Sequence, residues 1–432
     1  MAKRAVYVNC DGLGLGWVKP SYVPTIAGLM ASGVSMSQHL AIFPSVTRVS
    51  AASIATGCYP ARHGLHGNRM ALVEGGRLRV HDVGPPGFFE HWRSVTGRTL
   101  HVPTLAERLP QGAGFVAFSN VSPGAACALD PDHHGFVYHR AGSFAPGGVP
   151  ISGADHLAVT HDCAGDLAMT QRFCREVMET RRPAIAVLWL ANPDLTLHSH
   201  PLGSPEHLNA MAVADSCVAL VLDAVEQARR AGDDVLLLVG SDHGQETIGG
   251  GISVSDWLAR HGLSSQVQEG SVAVASQGTS ALLYAVPEQR VSLEEVLPSL
   301  EGEPWVASVH SAAALTALGH CSGDLVAAID FARDSRPNAF GVPGHRYVAT
   351  DGEKPAAIGC GQHGGLGPDE TRPFLVLSHP TLAAAHLEAP TSLVDVAPTI
   401  LAFLDLPHNG MDGRTLATIN DSIFKSLRAT CG

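Results

Sequence analysis

A chain of 432 residues, 45% of them hydrophobic, is long enough for two or three folding units of about 150 residues, or for one large α/β domain carrying an insertion. The net charge of -12 and the scarcity of lysine (Lys3, Lys19, Lys354 and Lys425) exclude a nucleic-acid polymer or an anionic membrane as the main partner, while a small anion held through metal ions remains compatible. Nine cysteines without CxxC spacing read as reduced thiols, and no signal-like apolar core or run of about 18 apolar residues is found, so the expected location is cytoplasmic.

In chain order, residues 5–10 have the composition of a buried strand ending on Asp11-Gly12, and a helix over 24–31 follows. Strand, turn, helix is how a parallel α/β sheet opens, and an Asp at a strand's carboxyl end faces the crevice where such sheets bind ligands. Asp-Gly is also a common turn pair. A second strand over 33–42 delivers the chain to Thr47, which opens a small-residue helix that Gly57 and Pro60 stop. Thr47 thus lies at the positive end of a helix, which suits either an N-cap or a group that handles an anion.

From 69 to 161 the chain is rich in Gly, Pro and His, and only 104–108 (helix) and 114–118 (strand) look regular. This excursion is expected to be a functional or decorative loop, with the Asp130-Pro-Asp-His-His-Gly run solvated or facing substrate. A helix over 164–180, a strand over 184–190, a long helix over 205–230 and a strand over 234–240 restore the α/β rhythm. Asp194 and His198 follow the first of these strands at i,i+4 spacing, and Asp242-His243 follows the second. Residues 249–351 break the rhythm with short strand candidates near 281–286, 305–309 and 325–329 and a helix after Ser292, and are expected to form an inserted α+β cap. The core is therefore assigned to 1–248 and 352–432. His363 sits in a glycine-rich turn before a strand over 373–378, and a helix from Ser392 closes the core.

Asp11, Thr47, Asp194, His198, Asp242, His243 and His363 all fall at strand ends or just beyond, on one rim of one sheet. Three Asp and three His supply the donors two borderline divalent ions require, zinc first and manganese next. The same residues carry a resemblance. Cys-Asp-Gly at Asp11, Pro-Ser-Val-Thr at Thr47, the run from Ala55 through Gly64 to Asn68, Asp-Leu-Thr-Leu-His, Ser-Asp-His-Gly, Gly-Gln-His-Gly-Gly and Val-Asp-Val-Ala-Pro-Thr resemble the alkaline phosphatase superfamily, in its nucleotide pyrophosphatase/phosphodiesterase and phosphonoacetate hydrolase branch.

The resemblance implies a three-layer α/β sandwich with a central, mostly parallel sheet and an inserted cap. It implies one metal on Asp194, His198 and His363, and a second on Asp11, Asp242 and His243 with Thr47 as fourth ligand. Thr47 would attack phosphorus and form a phosphothreonine, with Asn68 donating to the phosphoryl oxygens. Arg48, directly after the nucleophile, is a candidate for orienting substrate, with Arg69 and Arg140 as substitutes. Ser50 stands where relatives commonly have Asn, and no lysine occupies the place that holds a phosphonate's carboxylate. The expected activity is a phosphodiesterase or nucleotide pyrophosphatase on a small phosphorylated substrate. A phosphonate hydrolase or phosphomonoesterase is the alternative, and a non-catalytic metal-binding relative a distant third. The oligomeric state stays open, a homodimer included.

Overall fold

The computed structural model describes residues 3–112, 114–321, 323–352 and 357–416; Lys354 and Lys425 lie outside them. Its frame is a ten-stranded sheet with Lys3–Cys10 near the centre. That strand pairs in parallel with Asp234–Gly240 on one side and Ile185–Leu190 on the other, and Ile185–Leu190 pairs in parallel with Phe115–Ser119. These strands are apolar through their middles because both faces are covered, the condition under which parallel sheets form. Val6, Val8 and Cys10 point into a core shared with the Pro24–Ser32, Cys163–Phe173 and Pro205–Arg230 helices. Ala5 and Tyr7 point into the opposite core, with the Thr47–Thr56 and Val396–Phe403 helices. This is the three-layer arrangement expected. Truncating a fully buried strand residue such as Leu188 or Leu237 to Ala costs about 2–5 kcal/mol, from lost transfer energy and the cavity left behind. The antiparallel member of this central region, Leu375–Ser378, lies beside Asp234–Gly240.

The Pro205–Arg230 helix is long and apolar enough, by length and composition, to cross a membrane. Here it is a core helix: Met211, Val218, Val221 and Val225 are buried against the sheet.

The 69–161 excursion differs from the irregular loop expected. It contains a hairpin of Arg69–Glu74 and Arg77–Asp82, an amphipathic helix Phe88–Thr96 and three short strands, Phe136–His139, Ser143–Ala145 and Val149–Ile151, that extend the main sheet. Elements this short leave too little periodicity to detect, and Gly75-Gly76 supplies both positive-φ residues of the hairpin turn. Phe88, Phe89 and Trp92 anchor the helix in the core. Asp130 is not solvated either: it is fully buried and accepts from the His134 and Gly135 N–H groups, so it builds a turn.

Within 249–351, an antiparallel sheet in the order Val272–Ser276, Ser280–Ala285, Leu325–Phe331, Val306–Ser311 packs with the Arg290–Glu301 helix around Trp257, Leu283, Leu293 and Ile329. Position 249 falls inside the strand Glu246–Ile252, which pairs with Pro343–Ala349 on one side and Gly361–Gln362 on the other. This second sheet stitches the two parts together next to the site. Arg346 on it pairs with Asp330 and Glu370, burying a charge network at the junction.

Candidate active site

The carboxyl ends of the central strands deliver the acidic groups. Asp11 follows Lys3–Cys10 and Asp242 follows Asp234–Gly240, one residue after Ser241. Because those strands are neighbours, the two carboxylates come together, and both are essentially inaccessible to solvent. Trp189 Nε1 donates to Asp11 Oδ2 at 2.8 Å, while Asn9 Nδ2 and the Gly12 N–H donate to Asp242 Oδ1 at 3.2 and 3.3 Å. The remaining oxygens, Asp11 Oδ1 and Asp242 Oδ2, have no donor among the described residues. They lie 3.4 and 3.2 Å from His243 Nε2.

Asp194 comes from the turn after Ile185–Leu190, and its neighbours are His198 Nε2 at 3.2 Å and His363 Nε2 at 3.3 Å. Gly12 permits this approach. Its φ is +71°, and a Cβ there would sit 2.8 Å from Asp194 Cβ. His363 reaches the site because the turn after it is pinned: Leu366 N–H donates to Asp330, and the Gly365 and Gly367 N–H groups to Glu370.

The imidazole tautomers decide what these groups can hold. Nδ1 of His243 faces the Gly244 carbonyl at 3.0 Å and Nδ1 of His363 faces the Ser45 carbonyl at 2.7 Å. A carbonyl only accepts, so each Nδ1 carries the proton and each Nε2 presents a lone pair. Those lone pairs point at carboxylate oxygens, acceptor against acceptor, in a buried site. A cation reconciles them, and the backbone carbonyls then act as the orienting partners that metal-bound histidines have. Burial, followed by the Asp242 and Asp194 charges, pushes Asp11 well above the usual carboxylate range, and burial likewise raises Asp242. At this site two groups bring their ligand atoms close enough to share an ion, Asp11 with Asp242 and His243, and Asp194 with His243 and His363. His198 is the more exposed donor beside the second group, reached through Asp194.

Thr47 begins the Thr47–Thr56 helix, whose other residues are all buried apart from Arg48. Its Oγ1 lies 3.3 Å from His243 Nε2, beside the Asp11 and Asp242 carboxylates. Asn68 stands next to it. Its Oδ1 accepts from the Arg48 N–H at 3.2 Å, which turns the amide's donor end away from that contact, and its own N–H donates to Gln277 Oε1 at 2.7 Å. Thr47, Arg48, Asn68, Arg69, Arg140, Asp11, Asp194, His198 and His363 line one cavity of about 780 Å³, which Ser276, Gln277, Val348 and Ala349 of the 249–351 segment also line.

The sequence model of the type I phosphodiesterase / nucleotide pyrophosphatase family matches residues 5–331. This chain belongs to that family. Among curated proteins it is similar to venom phosphodiesterases 2 and 1 of Crotalus adamanteus, each 24% identical over 254 residues, or 56% of this chain. The matched segment spans only 27% and 26% of those longer relatives. Among solved structures, murine ectonucleotide pyrophosphatase/phosphodiesterase 5 aligns with a TM-score of 0.66 at 15% identity, covering 95% of this chain and 97% of that one. The same fold match holds for an inactive variant of the murine protein in complex with AMP. The human counterpart aligns with the same score over 98% of this chain and 99% of its own.

Within this family member, the sequence residues fall unequally. Asp11, Thr47, Asp194, His198, Asp242, His243 and His363 converge. Arg48 lines the cavity, but its Nε donates to Ser122 Oγ, its Nη1 donates to the Asn68 carbonyl, and Asp82 pairs with it at 3.2 Å. These contacts hold the strand end that carries Asn68. Sequence reasoning missed Trp189, Asn9, Gln245 and Gln277. Gln245 Nε2 donates to Asp194, and Gln277 bridges Asn68 N–H and the Arg69 carbonyl. Gln245 follows Ser-Asp-His-Gly directly, a signal within reach; Gln277 has none, because it acts from a hairpin 209 residues away from Asn68.

Proposed function

We propose that this protein is a metal-dependent phosphodiesterase or nucleotide pyrophosphatase that acts through Thr47. The observation carrying this is Thr47 Oγ1 at 3.3 Å from His243 Nε2, beside two buried carboxylate oxygens that lack donors. The donor set suits two divalent ions, zinc before manganese: Asp11, Asp242, His243 and Thr47 for one, Asp194, His198 and His363 for the other. Bound there, the ions supply Lewis acidity and neutralise charge on the attacking and departing oxygens.

The chain's own groups do the rest. Thr47 Oγ1 attacks phosphorus in line as the P–O bond to the leaving group breaks and that oxygen departs, giving a phosphothreonine; water then attacks the same phosphorus, breaks the Oγ1–P bond and returns the hydroxyl to Thr47. Helix start and Asn68 amide donate to the non-bridging oxygens, a contribution of about 3 kcal/mol of barrier per donor. Gln277 and Arg48 hold Asn68 in place, and Trp189, Asn9 and Gln245 fix the carboxylates. The AMP complex of the murine relative supports a small nucleotide-like substrate. Arg48 engaged by Asp82 supports a diester over a monoester, because the monoester's extra charged oxygen finds one fewer cation.

The test is hydrolysis of an aryl phosphodiester by purified protein, before and after exhaustive chelation, with acid quench to trap a phosphoprotein. Activity that depends on added metal and a phosphate adduct on Thr47 are the expected results. Full activity without metal would overturn the proposal.

A further inference from the structure

Arg140 occupies an unusual position in the cavity wall. Its Nη1 is anchored by the Asn120 and Val121 carbonyls, both at 2.7 Å. Neither Nε nor Nη2 has a hydrogen-bond partner among the described residues, and no carboxylate there forms an ion pair with it. The acid it feels, Asp166, already spends its oxygens on Asn120, Asn192 and the Ala191 and Asn192 N–H groups. Arg48, by contrast, has Asp82. A half-buried guanidinium fixed at one nitrogen keeps the Nε/Nη2 edge as a preset pair of parallel donors, the geometry that grips a carboxylate or phosphate with two hydrogen bonds. His161 lines the same cavity and lies in the fields of both Arg140 and Asp194. Thr47 and Asp194 line that cavity too, so a substrate held at Thr47 shares it with Arg140. No Phe, Tyr or Trp is among the described residues lining the cavity, so recognition there leans on charge and hydrogen bonds.

We propose that Arg140 and His161 form an oxyanion subsite for the leaving group, so that the preferred substrate departs as an acid carrying a carboxylate or phosphate rather than as a neutral alcohol. The term leaving group rests on the phosphoryl-transfer function proposed above; the anion binding does not.

The test uses the full-length, metal-loaded protein and aryl methyl phosphodiesters whose ring carries a 3-carboxylate, a 3-phosphonate or a neutral 3-carboxamide, together with non-hydrolysable phosphonates bearing the same three groups. Wild type should favour an acid over the amide by about 10- to 100-fold in kcat/KM after correction for leaving-group acidity, and similarly in affinity. The larger of the two acid preferences identifies the anion. Arg140→Ala should bring the ratio close to one. Arg140→Lys keeps a cation for the Asn120 and Val121 carbonyls but loses the fork, so the ratio should also fall there without loss of the fold. Equal handling of acid and amide by wild type, or an acid preference that survives both variants, overturns the subsite. If no ester is hydrolysed while the phosphonates still show the Arg140-dependent preference, the subsite stands and the phosphoryl-transfer function falls.

Discussion

The rings of His243 and His363 stack 3.6 Å apart at an angle of 13°. One belongs to the donor set around Asp11 and Asp242, the other to the set around Asp194, so a single ring contact fixes the spacing of the two sets. Each ring is also tethered through Nδ1 to a backbone carbonyl. The pair is therefore held rigid before any ion arrives, which lowers the ordering cost of binding two ions side by side.

Removing the Thr47 hydroxyl tests the nucleophile. Thr47→Ala should keep most of the metal while turnover falls by several orders of magnitude, and Thr47→Ser should retain part of it. Near-normal turnover in Thr47→Ala, with metal content measured on the same preparation, would assign the attack to water.

The two donor-free carboxylates give a prediction with opposite signs in two conditions. Without metal, Asp11 and Asp242 are buried like charges, so Asp11→Asn should raise the Tm of the chelated protein. With zinc added, the same variant should gain less than wild type, because an ion that binds only the folded state stabilises it in proportion to log affinity. A Tm unchanged by the substitution in both conditions would mean that the site holds no cation.

Gly12→Ala probes the approach of the first two strand ends. A Cβ placed 2.8 Å from Asp194 Cβ at φ +71° must push Asp194 away, so kcat/KM should drop by about 100-fold, the loss that a displacement of roughly 1 Å produces. Substitution at the exposed Gly16, where a Cβ meets nothing within 4 Å, is the control and should change neither.

Buried histidines make the fold sensitive to acid. Burial lowers His39 and His66 to about 3, and is the leading cause of lowering His139, His207 and His320 to about 4. Between pH 6.5 and 4 the unfolded chain takes up protons that the folded chain refuses, so stability is present above the unfolded pKa and is lost as pH falls. His207 shows why: its Nδ1 accepts from the Gly203 N–H at 3.0 Å, a role the protonated ring cannot fill. His207→Gln should flatten the dependence of unfolding free energy on pH in this window by about 1.4 kcal/mol per pH unit. Denaturant titrations at pH 4.5, 5.5 and 6.5 measure it, and an unaltered slope would count against neutral burial of this ring.

The sequence by itself determined the frame and the donor set. Strands such as Asp234–Gly240 and the Pro205–Arg230 helix are long and uniformly patterned, so local composition is enough to place them, and Asp11, Asp194 and Asp242 are marked by their position at strand ends. The tertiary structure decided what lies more than a few residues beyond these signals. The 69–161 segment folds its last three strands, of three or four residues each, because the main sheet offers them an edge, and no local pattern records that edge. Arg48 is claimed by Asp82 and Ser122, whereas Arg140 keeps one edge of its guanidinium unclaimed; the two are alike as residues and differ only in which neighbours the fold brings within 3 to 4 Å. Hydrogen bonding and ion pairing act over such distances, so the partners of a side chain are set by packing between segments far apart in the chain, and a one-dimensional pattern carries no measure of them.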